Sequence, residues 1–178
     1  MTHSASAEKV GPHFLRITDI QGGQVYWNDV PYCKVSPDEY EKYKLLPGDI
    51  VVARTGASTG ENFYVVDAPD TIFASYLVRF QFDERAMARL VGVFMRTNEY
   101  FSYVANNLGG SAQPNANAQV LSGASFVVPP LQIAQKYLDF VEPLDKKIYA
   151  NNKESRTLAS LRDSLLPKLM RGEVRVKV

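Results

Sequence analysis

Residues 131–169 read LQIAQKYLDFVEPLDKKIYANNKESRTLASLRDSLLPKL and carry two apolar stripes at helical spacing. Ala134, Tyr137, Leu138, Val141, Leu144 and Ile148 form the first stripe, and Leu158, Leu161, Leu165 and Leu169 the second. Steps of three and four residues place each set on one face of a helix. A continuous helix over this span reaches roughly 58 Å at about 1.5 Å per residue, which is longer than the rest of the chain is wide. A narrow stripe on such a rod cannot be buried within its own domain along its whole length, and the sequence holds no internal repeat to cover it. A second helix, from another copy or another protein, is therefore expected; the alternative is a helix folded back on the body. Pro143 is expected to kink the helix or split it near Glu142, because proline lacks the donor a helix interior needs. The run Asn151–Arg156, NNKESR, interrupts the stripe and predicts a solvated stretch or a shift of register.

Upstream, Pro129-Pro130 close a body of different pattern. From His13 to Val66 short β-type runs, HFLRIT, QVYW, IVVAR and NFYVV, are punctuated by Gly22-Gly23, Pro47-Gly48 and Gly56 to Gly60. LVRFQF (Leu77 to Phe82) alternates as a further strand with Arg79 on its polar face. Between Asp83 and Leu108 the apolar residues Met87, Leu90, Val91, Phe94, Phe101, Val104 and Leu108 predict one helix packed on a sheet, stopped by Gly109-Gly110. The segment Gly109 to Leu121, GGSAQPNANAQVL, follows, and SFVV (Ser125 to Val128) is expected to return as a strand. The predicted class is α+β: a mixed, largely antiparallel β domain with a packed helix over residues 1–130, then a long coiled-coil-forming helix and tail over residues 131–178.

At 178 residues and 46% hydrophobic content the chain can bury one sizeable core and carry one extension. No apolar run approaches the roughly 20 residues that span a bilayer, MTHSASAEKV lacks the layout of a signal peptide, and a cytoplasmic protein is expected. The single cysteine, Cys33, can form neither an internal disulfide nor a zinc cluster and reads as a buried or half-buried hydrophobe. The net charge of +1 is uneven: ten Lys/Arg stand against thirteen Asp/Glu before Leu131, and ten against six from there on. An acidic body argues against strong phosphate binding by that part alone, an objection that eases where partners supply phosphate contacts.

Catalytic chemistry is poorly supplied. His3 and His13 are the only histidines, no E-x-K triplet occurs, and the Gly-rich run RTGASTGEN lacks the lysine and spacing of a phosphate loop. Pro129-Pro130 lie between Val128 and Leu131, without the Asn/Asp and aromatic flanks of a methyl-transfer motif. No enzyme activity, cofactor or metal is expected. Binding chemistry is better supplied. Arg54, Thr55, Ser58 and Thr59 sit where a strand opens into a Gly-rich loop, and Gly56 and Gly60 would let backbone N–H groups approach a phosphate; the alternative is a β-turn with a structural arginine. In the amide-rich segment, Ser111, Gln113, Asn115 and Asn117 are candidates for contact with base edges, since an amide carries a donor beside an acceptor and so matches adenine in the major groove. Asx-turns shaping an ordinary surface loop are the other reading. Lys34, Arg16 and Thr18 are weaker DNA-binding candidates, and for Arg16 and Thr18 the polar face of a half-buried strand is the plainer account.

Several stretches, in order and spacing, resemble one family. GPHFLRITDI, LLPGDIVVARTGASTG, FASYLVRF, GGSAQPNANAQVL leading to VVPPLQIAQ, and SLRDSLLPKLMRGEVRV together are similar to the DNA specificity subunits of type I restriction-modification systems. The resemblance runs from Gly11 to Val176. It implies a target recognition domain followed by a spacer helix, a unit that whole subunits carry twice, their helices pairing antiparallel as a ruler between two half-sites. This sequence holds one unit and resembles a half-subunit that pairs with a second copy to read a palindromic, bipartite site. Family units begin some way before the stretch resembling GPHFLRITDI, so an edge strand is expected to be missing at the front. The resemblance further implies double-stranded DNA and a modification (methyltransferase) subunit as partners, with a restriction subunit beyond it, and methylation and cleavage housed in those subunits. Leu144, Ile148, Leu158, Leu161 and Leu165 are the residues expected in the paired seam; Lys146, Lys147, Lys153 and Arg156 read as a solvated face or as contacts to DNA or the partner. The alternative from another class is a coiled-coil interaction protein whose body binds protein rather than DNA; a degenerate methyltransferase fragment is a further one.

Overall fold

The structure, a computed structural model, describes residues 4–108 and 115–174. His3, Gly109-Gly110, Ser111 and Gln113 lie outside the described residues. The architecture is α+β with largely antiparallel pairing. In chain order the elements are β1 (His13–Leu15), β2 (Ile20–Gln21), β3 (Gln24–Val25), α1 (Pro37–Tyr43), β4 (Ile50–Ala53), β5 (Asn62–Tyr64), β6 (Thr71–Phe73), β7 (Leu77–Phe80), α2 (Arg85–Phe94), α3 (Asn98–Asn107), α4 (Ala118–Ser122) and α5 (Leu131–Met170).

Strand β4 explains the body. Its four residues, Ile50-Val51-Val52-Ala53, are all buried, and β5 and β7 flank it antiparallel in the order β5-β4-β7. Successive side chains of a strand point to opposite faces, so an unbroken apolar run must serve two cores. Val51 and Ala53 join Leu15, Ile20, Val65 and Leu77 on one side, whereas Ile50 and Val52 join Met95, Tyr100, Val104 and Leu121 on the other. The second core anchors α2, α3 and α4. A parallel pair, β1 with β6, and a short hairpin, β2 with β3, complete the described sheets. Cys33 is fully buried beside Phe14 and Ile72, and burial pushes its thiol pKa up.

Three expectations need correction. The single helix predicted from Asp83 to Leu108 is two helices, because Thr97 caps the second: its hydroxyl accepts from the Tyr100 N–H at 3.4 Å and donates to the Phe94 carbonyl at 2.7 Å. The restart changes which side chains turn inward, so Tyr100 and Val104 are buried on α3 while Phe101 is only half-buried. HFLRIT is a strand only to Leu15, since Arg16 folds back on Asp19 and closes a 3₁₀ turn over Ile17–Asp19. SFVV forms no strand: Val127 is 92% exposed, and Phe126 instead stacks on Phe94 with ring centroids 4.7 Å apart. Pro129-Pro130 offer no ladder donors to continue such a strand.

At Pro143 the expectation is a kink or a split, and the split does not occur. Helix α5 runs unbroken from Leu131 to Met170 with Pro143 and Pro167 inside it, so the helix is not split near Glu142. One proline removes a single N–H, and the ladder on both sides carries the helix across the gap. Asn151–Arg156 is helical too. The chain divides into two compact units, Met1–Leu138 and Asp139–Val178. In the first unit Ala134 and Leu138 of α5 are buried with Ala86 against Met87 and Leu90 of α2. In the second, Leu144, Ile148, Leu158, Leu161 and Leu165 are 43–58% exposed. No helix among the described residues is long and apolar enough to cross a membrane.

Candidate nucleic-acid interface

Two segments far apart in sequence meet where β4 ends. Arg54 donates its backbone N–H to the Tyr76 carbonyl at 3.0 Å, and its own carbonyl accepts from the Ala116 N–H at 2.8 Å. Thr55 then pairs with Asn115 in an antiparallel bridge. The amide-rich segment is therefore joined to the Gly-rich loop as an extra rung beyond the sheet, and Thr55 and Asn115, picked separately from the sequence, are neighbours. Asn115 and Asn117 are exposed, and Ala116 between them is fully buried. This is the in–out alternation of extended backbone, which turns two amides outward around one anchored side chain.

The loop after Thr55 is tight. Gly56, at φ +73°, starts a 3₁₀ turn over Gly56–Ser58, and the Thr59 hydroxyl donates to the Gly56 carbonyl at 2.7 Å. Gly60, at φ +92°, returns its N–H to the Ala53 carbonyl at 2.9 Å and lies so close to α3 that a Cβ there would sit 3.4 Å from Val104. The positive φ favours glycine at Gly60, while a Cβ there would make only ordinary van der Waals contact with α3. Arg54, Thr55, Ser58 and Thr59 are half-buried, and the Arg54 Nε is buried with no hydrogen-bond partner among the described residues. The far end of the amide segment is equally fixed. The Asn117 Oδ1 accepts from the Val120 N–H at 2.8 Å and caps α4, whose Leu121 is fully buried with its carbonyl accepting from the Tyr100 hydroxyl at 3.0 Å. Asn117 thus spends its acceptor on the cap.

Arg16 and Lys34 lie on other segments. The Arg16 guanidinium is held by the Asp19 carboxylate through contacts of 2.7 and 3.0 Å, which raise its pKa, while Lys34 is exposed next to the buried Cys33. Arg79 is half-buried and donates to the carbonyls of Lys44 and Lys42 at 2.6 and 3.2 Å. Sequence reading passed over the residues that brace the loop. Asn62, 1% exposed, donates from Nδ2 to the carbonyls of Gly60 at 2.9 Å and Met95 at 2.6 Å. Glu61 pairs with Arg96 at 2.9 Å. An amide heading an apolar strand, as in NFY, was the available signal, because a buried polar side chain there needs partners.

Residues 9–159 match the family model described as the type I restriction modification DNA specificity domain. The chain belongs to this family. Among curated relatives of this specificity domain, the StySPI specificity subunit of Salmonella potsdam is 29% identical over 173 residues, covering 90% of this chain and 37% of that protein. The HindI specificity subunit of Haemophilus influenzae is 26% identical over 164 residues, 85% of this chain and 35% of that one. Over 74 residues, 42% of this chain and 17% of the other, identity to the MjaIX specificity subunit of Methanocaldococcus jannaschii reaches 35%. This specificity domain thus spans about a third of the length of the two relatives it matches most fully. A chain solved in work on complex assembly and conformational transition of the type I restriction-modification system shares the fold, with a TM-score of 0.53 at 16% identity, over 91% of this chain and 42% of that one.

Proposed function

We propose that this specificity domain is a non-catalytic reader of one half of a bipartite DNA target, with residues 1–130 as the target recognition domain and residues 131–178 as spacer helix and tail. The observation that carries the reading is the Thr55–Asn115 bridge, which joins a Gly-rich loop suited to phosphate to an amide-rich segment suited to base edges. Asn115, with Gln113 and Ser111 beside it in sequence, addresses the base edges, whereas Arg54, Thr55, Ser58 and Thr59 address the backbone. Asn117 serves the reading through the α4 cap that holds Asn115 in place. The exposed leucines of α5 pair with a second copy, so that two identical domains read two related half-sites, and a modification subunit, with a restriction subunit beyond it, is recruited to the pair in the cytoplasm. The names of the relatives support the assembly, since each is a type I restriction enzyme specificity subunit.

Selection from a duplex library tests this. The unmutated chain enriches one sequence, and Gln113→Ala with Asn115→Ala abolishes that preference while fold and self-association persist. Retention of the same preferred sequence by the double variant refutes the loop assignment. The exposed seam on α5 also favours a second reading, a coiled-coil interaction protein whose body binds protein. That protein would enrich no sequence and bind DNA with little dependence on salt.

A further inference from the structure

The loop carrying Arg54 to Thr59 re-enters the sheet through Glu61 and Asn62, and consecutive residues of the α2–α3 corner grip both. Asn62 reaches the Met95 carbonyl at 2.6 Å, and the Glu61 carboxylate takes Arg96 Nη1 at 2.9 Å. Arg96 is held on two further sides. Its guanidinium lies 5.5 Å from the centre of the Phe101 ring on α3, and Gly23, at φ +76° in the β2–β3 turn, is so close that an added Cβ would meet Arg96 Nε at 2.8 Å. One side chain therefore ties the β4–β5 loop, a hairpin turn and the start of α3 together, while Gly60 packs on Phe101 and Val104 of the same helix.

We infer that Arg96 and Glu61 are positioning residues for sequence discrimination, a pair that fixes the Arg54–Thr59 loop, and through the Thr55–Asn115 bridge the amide segment, without touching DNA. This rests on the DNA reading proposed above. The obvious rival is a phosphate contact by Arg96, and charge separates the two. Glu61 occupies Arg96, so a phosphate-binding Arg96 would be released by Glu61→Gln and bind all DNA more tightly. A positioning Arg96 would instead lose its hold on the loop.

The test uses the full chain, its preferred duplex from library selection and a scrambled duplex, with affinities measured over a range of salt for Arg96→Met, Glu61→Gln and the exchange Glu61→Arg with Arg96→Glu. Both single variants lower the preferred-to-scrambled ratio about 5-fold or more, the equivalent of about one misplaced base contact. Affinity for the scrambled duplex and the salt slope stay unchanged, and the exchange restores much of the ratio. Equal weakening on both duplexes with a slope shallower by about 0.9 makes Arg96 a phosphate ligand and overturns the inference. So does an unchanged ratio in Glu61→Gln, a near-isosteric change at a side chain 31% exposed, which carries the test if Arg96→Met fails to fold. An unmutated chain with no preferred duplex overturns the DNA reading itself; a preference that survives in the variants overturns the positioning pair alone.

Discussion

Replacing Leu158 and Leu165 by glutamate tests the seam of α5 directly. Leu144, Ile148, Leu158, Leu161 and Leu165 are 51, 53, 58, 50 and 43% exposed, so each has about half its surface left to bury. Full burial of such a side chain contributes about 1.5–3 kcal/mol, hence half of it about 0.8–1.5 kcal/mol. A symmetric dimer loses four leucines in the double variant, worth about 3–6 kcal/mol, before any cost of placing glutamates against an apolar face. Each 1.4 kcal/mol is a factor of ten, so the dissociation constant rises by about 10² to 10⁴. Sedimentation equilibrium at micromolar concentration then finds a dimer for the unmutated chain and a monomer for Leu158→Glu with Leu165→Glu, with unchanged far-ultraviolet circular dichroism. An unmutated chain that sediments as a monomer at tens of micromolar, or a double variant that stays dimeric, refutes the reasoning.

Between Ile148 and Leu158 the three-four spacing runs through Asn151 and Ser155, which places an exposed amide in the proposed seam; Asn151→Leu should tighten self-association while admitting other registers or oligomers, read by sedimentation and by cross-linking pattern. Tyr100→Phe removes the donor to the Leu121 carbonyl in a fully buried site and should lower unfolding free energy by about 1–3 kcal/mol in urea titration, with α4 loosened first in hydrogen exchange.

The body was legible wherever periodicity carried the information. The runs around β4, β5 and β7 are local patterns of apolar and turn residues, and they form the three-stranded sheet. Periodicity failed where one side chain outranked it. Thr97 caps α3 and breaks a stripe that reads as continuous, and Asp19 captures Arg16 and ends β1 early. SFVV has strand composition, but a strand also needs an edge to pair with, which no local pattern states. At Pro143 one missing donor does not split the helix, because the many intact bonds of a 40-residue helix carry it across.

The candidate site divides the same way. That Arg54–Thr59 and the amide segment carry groups suited to binding was legible from their composition, but that Thr55 meets Asn115 across 60 positions of sequence is a property of the sheet. The bracing by Asn62 and by Arg96 with Glu61 depends on where the α2–α3 corner falls, which follows from the Thr97 cap and not from the apolar stripe. The charge distribution fits this division of labour. A body with three more acidic than basic residues is a weak competitor for phosphate, so on the proposed reading it contributes discrimination rather than bulk affinity. Neutral amides suit that role because they lose little when no phosphate is near and gain only against a matching base edge. Their value depends on being held in place, and among the described residues the segment is tied at Ala116 by the rung and at Asn117 and Leu121 by the cap.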